Sequence, residues 1–148
     1  MRRPKPPAPV AGSADDVETE FYEALQRGDI DRLMALWSDD EEIACVHPGG
    51  PRLVGAPAIR ASFDAMFANG TIDARPEKVR RLDAHSTAVH SVLERVRVLT
   101  PEGERVAWVV ATNVYVKSAQ GWRLVAHHAS PGTTAEAQDV VETASTLH

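Results

Sequence analysis

The sequence predicts an α+β domain in which three helices of the N-terminal half pack against a curved antiparallel sheet made by the C-terminal half. Three observations carry this expectation. Apolar residues recur at helical spacing in segments before residue 70, as in Val17, Phe21 and Leu25. From Lys78 the period becomes that of strands, with four β-branched and aromatic runs joined by connections short enough for hairpins. Short amphipathic helices cannot bury their apolar stripes on one another alone, so the stripes need a sheet to cover.

The composition sets the class. At 148 residues, 43% hydrophobic and 25% charged, the chain is long enough for one domain with a core of its own. It should fold without a cofactor. A net charge of −5, with one basic cluster (Arg2, Arg3, Lys5), argues against nucleic-acid binding. Cys45 is the single cysteine, which excludes an intramolecular disulfide and a cysteine zinc cage. No segment has the roughly 20 apolar residues of a membrane span, and none resembles a secretory leader. These features place the expected protein in the cytoplasm, away from membranes.

The elements follow in order. Residues 1–13 hold four prolines and few bulky apolar side chains, and read as a flexible leader. Ser13 or Asp15 caps a first helix that Gly28 ends. Asp29 starts a second, Ile30 to Trp37, with Ile30, Leu33, Met34 and Trp37 on one stripe. Ile43 to His47 reads as a strand with Ile43, Cys45 and His47 on one face; Pro48-Gly49-Gly50-Pro51 reverses the chain into Arg52 to Val54. Gly55-Ala56-Pro57 opens a third helix that buries Ile59, Phe63, Met66 and Phe67. The four long strands are Lys78 to Ala84, Thr87 to Leu99, Glu104 to Lys117 and Trp122 to Ser130. The domain is expected over residues 14–131, followed by a tail (132–148) in which Ala135 to Leu147 either forms a helix or frays.

Several stretches together resemble the SnoaL-like proteins of the nuclear transport factor 2-like superfamily. They are Phe21-Tyr22-Glu23-Ala24-Leu25-Gln26-Arg27-Gly28-Asp29 leading to Leu36-Trp37-Ser38-Asp39-Asp40, then Val46-His47-Pro48-Gly49-Gly50, Gly55-Ala56-Pro57-Ala58-Ile59 and Gly121 to Ser130. The resemblance implies a cone-shaped barrel, a pocket between helices and sheet, and often a dimer through the outer sheet face. It does not imply one activity, since this fold hosts isomerases, dehydratases, cyclases, hydrolases and assembly modules. Independently, the strand around Trp108 to Val116 leaves neither face plainly polar, which also calls for a homodimer through the sheet.

Candidate site residues come from this frame. His47, among apolar neighbours, is suited to general-base work or to a hydrogen bond at the edge of the core. His127 and His128 point to opposite faces unless a bulge intervenes. The face shared with Trp122 and Leu124 favours His128 as inward; His127 is inward if Trp122 packs at the dimer side. Asn113 is a mid-strand amide that needs partners if buried. Tyr22, Trp37, Cys45, Phe63, Phe67, Trp108 and Tyr115 are candidates to line a pocket for a small apolar or aromatic ligand, or are ordinary core. No acidic residue completes a metal set with His47 and the terminal histidines, so no metal is expected. Glu94, next to Arg95 and Arg97, reads as a solvated or interface ion pair. Two readings result: a cofactor-independent isomerase, lyase or hydrolase using histidine chemistry, or a non-catalytic binding or assembly module.

Overall fold

The computed structural model describes residues 12–133 and residue 140. The expected leader, apart from residues 12 and 13, and the expected tail helix, apart from residue 140, lie outside the described residues. Ser13 caps α1 (Ala14–Arg27), its hydroxyl accepting from Asp16 N at 3.1 Å. Gly28 ends the helix with φ +67, the left-handed conformation that a side chain strains. Its position next to Thr71 leaves an added methyl 3.2 Å from Thr71 Cγ2. Gly28→Ala is therefore expected to cost about 1–2 kcal/mol of stability, read by chemical denaturation. Asp29 caps α2 (Ile30–Ala35), which ends two residues before the expected Trp37.

β1 (Ala44–Val46) and β2 (Arg52–Val54) form the short hairpin, and Gly55 then leads into α3 (Ala56–Phe67), with proline in its first turn. The long strands are β3 (Asp73–Asp83), β4 (Thr87–Thr100), β5 (Gly103–Ser118) and β6 (Gly121–Pro131). They extend an open sheet ordered β2-β1-β6-β5-β4-β3. The sheet departs from the expectation in two places. β1 runs parallel to β6, so the sheet is mixed. β3 begins five residues before Lys78 and contains Pro76, which an edge strand tolerates because one side of its ladder carries no partner.

The helices cover one sheet face. Phe21, Leu25, Leu33, Leu36, Ile59 and Phe63 are buried there with Val17 and Tyr22 in one cluster, together with Cys45, Val92, Tyr115 and Leu124. On β4 the inward residues are Ala88, His90, Val92 and Glu94; on β5 they are Ala111, Asn113 and Tyr115. The outer face of β5 leaves Val106 and Val110 exposed and Trp108 half-buried. Among the described residues no helix is long and apolar enough to cross a membrane.

Candidate active site

A cavity of about 170 Å³ opens between α1, α3 and the sheet. Its wall is mostly apolar, including Leu25, Phe63, Met66, Ile72, Val96 and Val109, and among the described residues its ionisable side chains are Glu94, His127 and His47. Each arrives for a local reason. Glu94 follows His90 and Val92 on the inward side of β4, while Arg95 and Arg97 project from the other side. His127 is turned inward by a bulge: Tyr115 pairs with Leu124 but Val114 pairs with Ala126, leaving Val125 as an extra residue. His47 follows β1, whose Cys45 lies opposite His127 in the parallel register.

Behind the cavity wall Glu94 and His127 join one hydrogen-bonded chain. His127 Nδ1 lies 2.5 Å from Asn113 Oδ1, Asn113 Nδ2 donates to the Tyr22 hydroxyl at 3.1 Å, and that hydroxyl donates to Glu94 Oε2 at 2.7 Å. Glu94 is 6% exposed, His127 5% and Asn113 0%. Burial pushes the Glu94 carboxyl up from 4.5 to about 7; the Tyr22 hydrogen bond pulls it down, and the charge of Glu18 adds to the rise. Burial depresses His127 from 6.5 to about 3, with nearby His47 and His128 acting in the same direction. His47 is also lowered by burial, and its Nε2 meets Ser62 Oγ at 3.0 Å. Near neutrality, then, the carboxyl is the group poised to exchange a proton and both imidazoles are neutral.

Tyr22 is raised well above its ordinary value by burial and by Glu94, so it remains a phenol. Removing its hydroxyl strips a hydrogen bond from a buried carboxylate. Tyr22→Phe should cost about 1.5–3 kcal/mol at pH 8. It should also move the Glu94 titration to higher pH, because the group that favours the ionised form is gone; a titration of the carboxyl carbon by NMR checks this.

A second polar group lies nearer the start of α1. Glu18 Oε2 accepts from the Tyr115 hydroxyl at 2.8 Å and contacts His90 Nδ1 at 2.8 Å, while Asp15 Oδ1 accepts from Arg81 Nε at 2.8 Å. Asp15, Glu18 and His90 bring ligand atoms within 4.8 Å of one another, a spacing that admits a cation. A cation there would have to displace Arg81 from Asp15 and compete with Tyr115 and His90 for Glu18. These residues fit a packed polar network better than an ion cage.

The expected site residues separate into three groups. His47, His127 and Phe63 line the cavity, and Asn113 and Tyr22 stand directly behind it. Trp37 and Cys45 are core, Phe67 packs against the core and Phe63, and Tyr115 is committed to Glu18. The Cys45 thiol is pushed up to about 12 by burial and then by Glu94, which keeps it protonated although His47 Nε2 is 3.9 Å away. His128 and Trp108 are corrections. His128 is exposed, because the bulge at Val125 shifts the alternation by one residue and puts Leu124 and His127 on the same side. Trp108 alternates with the inward Val109 and Ala111 and so lies on the outer face. Glu94 is the third correction: it is buried and bonded to Tyr22, and among the described residues no arginine pairs with it. Sequence reasoning also passed over Glu18, although it falls between Ala14 and Tyr22 at helical spacing on the buried side of α1.

Comparison with other proteins agrees with this architecture. A search of the curated proteins returned no match. Among solved structures, a candidate calcium/calmodulin-dependent protein kinase type II association domain from Thiobacillus denitrificans is similar, with 33% identity and a TM-score of 0.76 over 84% of this chain and 99% of that one. A candidate dehydratase of the NTF2-like family from Streptomyces avermitilis is 31% identical, with a TM-score of 0.72 over 80% of this chain and 93% of that one. A cystatin-like protein from Caulobacter vibrioides shares the fold at 15% identity, with a TM-score of 0.70 over 80% of this chain and 87% of that one. The family model of the SnoaL-like domain matches residues 15–134, a span that takes in all of the helices but Ala14, the whole sheet and every residue of the polar chain. The chain belongs to the SnoaL-like domain family, within the NTF2-like fold.

Proposed function

We propose that this protein is a cofactor-independent acid–base enzyme, an isomerase or lyase, acting on a small apolar molecule held in the cavity. The observation that carries the reading is Glu94: a buried carboxyl on the cavity wall, held at about 7 by desolvation and joined through Tyr22 and Asn113 to His127. Glu94 takes the role first expected of the histidines, because His127 at about 3 is too weak a base near neutrality. His127 and His47 orient the ligand. Both tyrosine hydroxyls are committed to carboxylates, so neither is free as an oxyanion donor. The similarity to a candidate dehydratase supports the lyase side of the reading.

The test follows a panel of small hydroxylated and unsaturated ring compounds in D₂O by NMR and mass spectrometry. Conversion, or deuterium written into a compound by the protein but not by Glu94→Gln, supports the reading. Tight binding with neither exchange nor conversion overturns it in favour of a binding module.

A second reading concerns assembly, and it is compatible with the first. The exposed Val106 and Val110 beside Trp108 on the outer face of β5, and the similarity to a candidate association domain, favour a homodimer through the sheet. Light scattering at micromolar concentration should give twice the 16.1 kDa chain mass; a monomer would contradict it.

A further inference from the structure

We propose that the cavity selects a small neutral ligand that donates hydrogen bonds, a hydroxyl-bearing ring or short chain, over one that presents a carbonyl. This rests on the reading of the cavity as a ligand site and adds the chemical class of the ligand.

Donor and acceptor capacity sets where each proton lies along the polar chain. At pH 8 the Glu94 carboxyl is mainly ionised and only accepts, so the Tyr22 hydroxyl gives its one proton to Glu94 Oε2. The Tyr22 oxygen must then accept from its other neighbour, which fixes Asn113 Nδ2 as the donor at 3.1 Å. The Asn113 carbonyl is thereby turned to His127, whose Nδ1 at 2.5 Å must carry the proton. A neutral imidazole has one N–H, so Nε2 of His127 is a bare lone pair.

The same count fixes His47. The Ser62 hydroxyl donates to Ile59 O at 2.7 Å, so its proton is spent and the 3.0 Å contact is a donation from His47 Nε2. Nδ1 of His47 is then the acceptor that remains. Pro48, beside it in the wall, has no N–H to offer.

Among the described residues the polar side chains that line the cavity are Glu94, His127 and His47; by this count the capacity left on each is to accept, and the rest of the wall is apolar. A ligand carbonyl would set its lone pairs against theirs and leave the two imidazole acceptors without a donor, which is costly in a largely apolar site. A hydroxyl proton satisfies one of them directly. A neutral donor fits better than a cation, because among the described residues Glu94 is the only anionic side chain in the wall and it is already engaged by Tyr22. The volume, about 170 Å³, sets the size. It compares with the roughly 150 Å³ apolar cavity that holds benzene, which allows one six-membered ring with a small substituent.

The test is an NMR titration of the full chain at pH 8 with cyclohexanol and with cyclohexanone, matched in shape and differing in donor capacity. Cyclohexanol is expected to bind at least 10-fold more tightly. Equal or tighter binding of cyclohexanone overturns the donor rule while leaving the cavity as a ligand site. If neither compound perturbs the signals of Phe63, His127 or Ala129 up to its solubility limit, the ligand-site reading falls and the donor rule with it. Long-range ¹H–¹⁵N spectra give a readout that needs no ligand: His127 should show its proton on Nδ1 and His47 on Nε2. A proton on Nε2 of His127 would overturn the inference whatever binds.

Discussion

At pH 8 the Glu94→Gln variant unfolds with a free energy on the order of 3 kcal/mol above that of the unsubstituted protein, and loses turnover by about 10²–10⁴-fold. Both effects come from one cause. The carboxyl holds its proton to about 7 when folded, against 4.5 ordinarily, because burial removes the water that would solvate its charge. A group raised in this way contributes stability that is fully present below 4.5 and is lost as pH rises through 7. At about 1.4 kcal/mol per pH unit, the protein above pH 7 is carrying the cost of a buried charge. Glutamine has nearly the same shape, keeps an oxygen for the Tyr22 hydroxyl and never ionises. Gained stability with lost activity is the signature of a residue retained for chemistry. A variant less stable than the parent at pH 8 would instead point to a favourable ion pair at Glu94.

Between pH 6.5 and 4.5 the unsubstituted protein should change little in stability, because two large dependences oppose each other there. His127 is depressed from 6.5 to about 3, so its contribution is fully present above 6.5 and is lost as pH falls. Glu94, raised from 4.5 to about 7, gains over the same interval. Each slope is about 1.4 kcal/mol per pH unit, and over the two units they nearly cancel. His47, also lowered, tilts the balance slightly toward loss in acid. Removing either partner exposes the other. Glu94→Gln should lose on the order of 3 kcal/mol on acidification across this window, whereas His127→Asn, whose amide can still donate to Asn113, should gain. Urea denaturation at three pH values reads the slopes; a flat Glu94→Gln profile would show that His127 is not buried as a neutral ring.

Much of the fold was legible because it rests on local chemistry. Ser13, Gly28 and Asp29 mark helix ends by cap geometry that needs no knowledge of the rest of the chain. The start of β3 was hidden by Pro76, which argues against a strand until the strand is known to lie at the sheet edge. The parallel pairing of β1 with β6 joins residues about 80 positions apart, beyond the reach of any local pattern. The site was legible in part. His47, His127 and Asn113 stood out as polar residues in apolar strands. The choice between His127 and His128 turned on one extra residue at Val125, and a single bulge inverts an alternation argument. Glu94 was misjudged from its neighbours in the chain: Arg95 and Arg97 are close in sequence but leave from the opposite face, and Tyr22 is 72 residues away. Strand alternation already separated them, and a lone inward acid was the available signal.

The most direct test of the account is the titration of the Glu94 carboxyl carbon by ¹³C NMR from pH 3 to 9, assigned by its absence in Glu94→Gln. A midpoint near 7 is the expected result. A midpoint at or below the ordinary 4.5 would mean a solvated or ion-paired carboxylate, and would remove the acid–base function from this cavity.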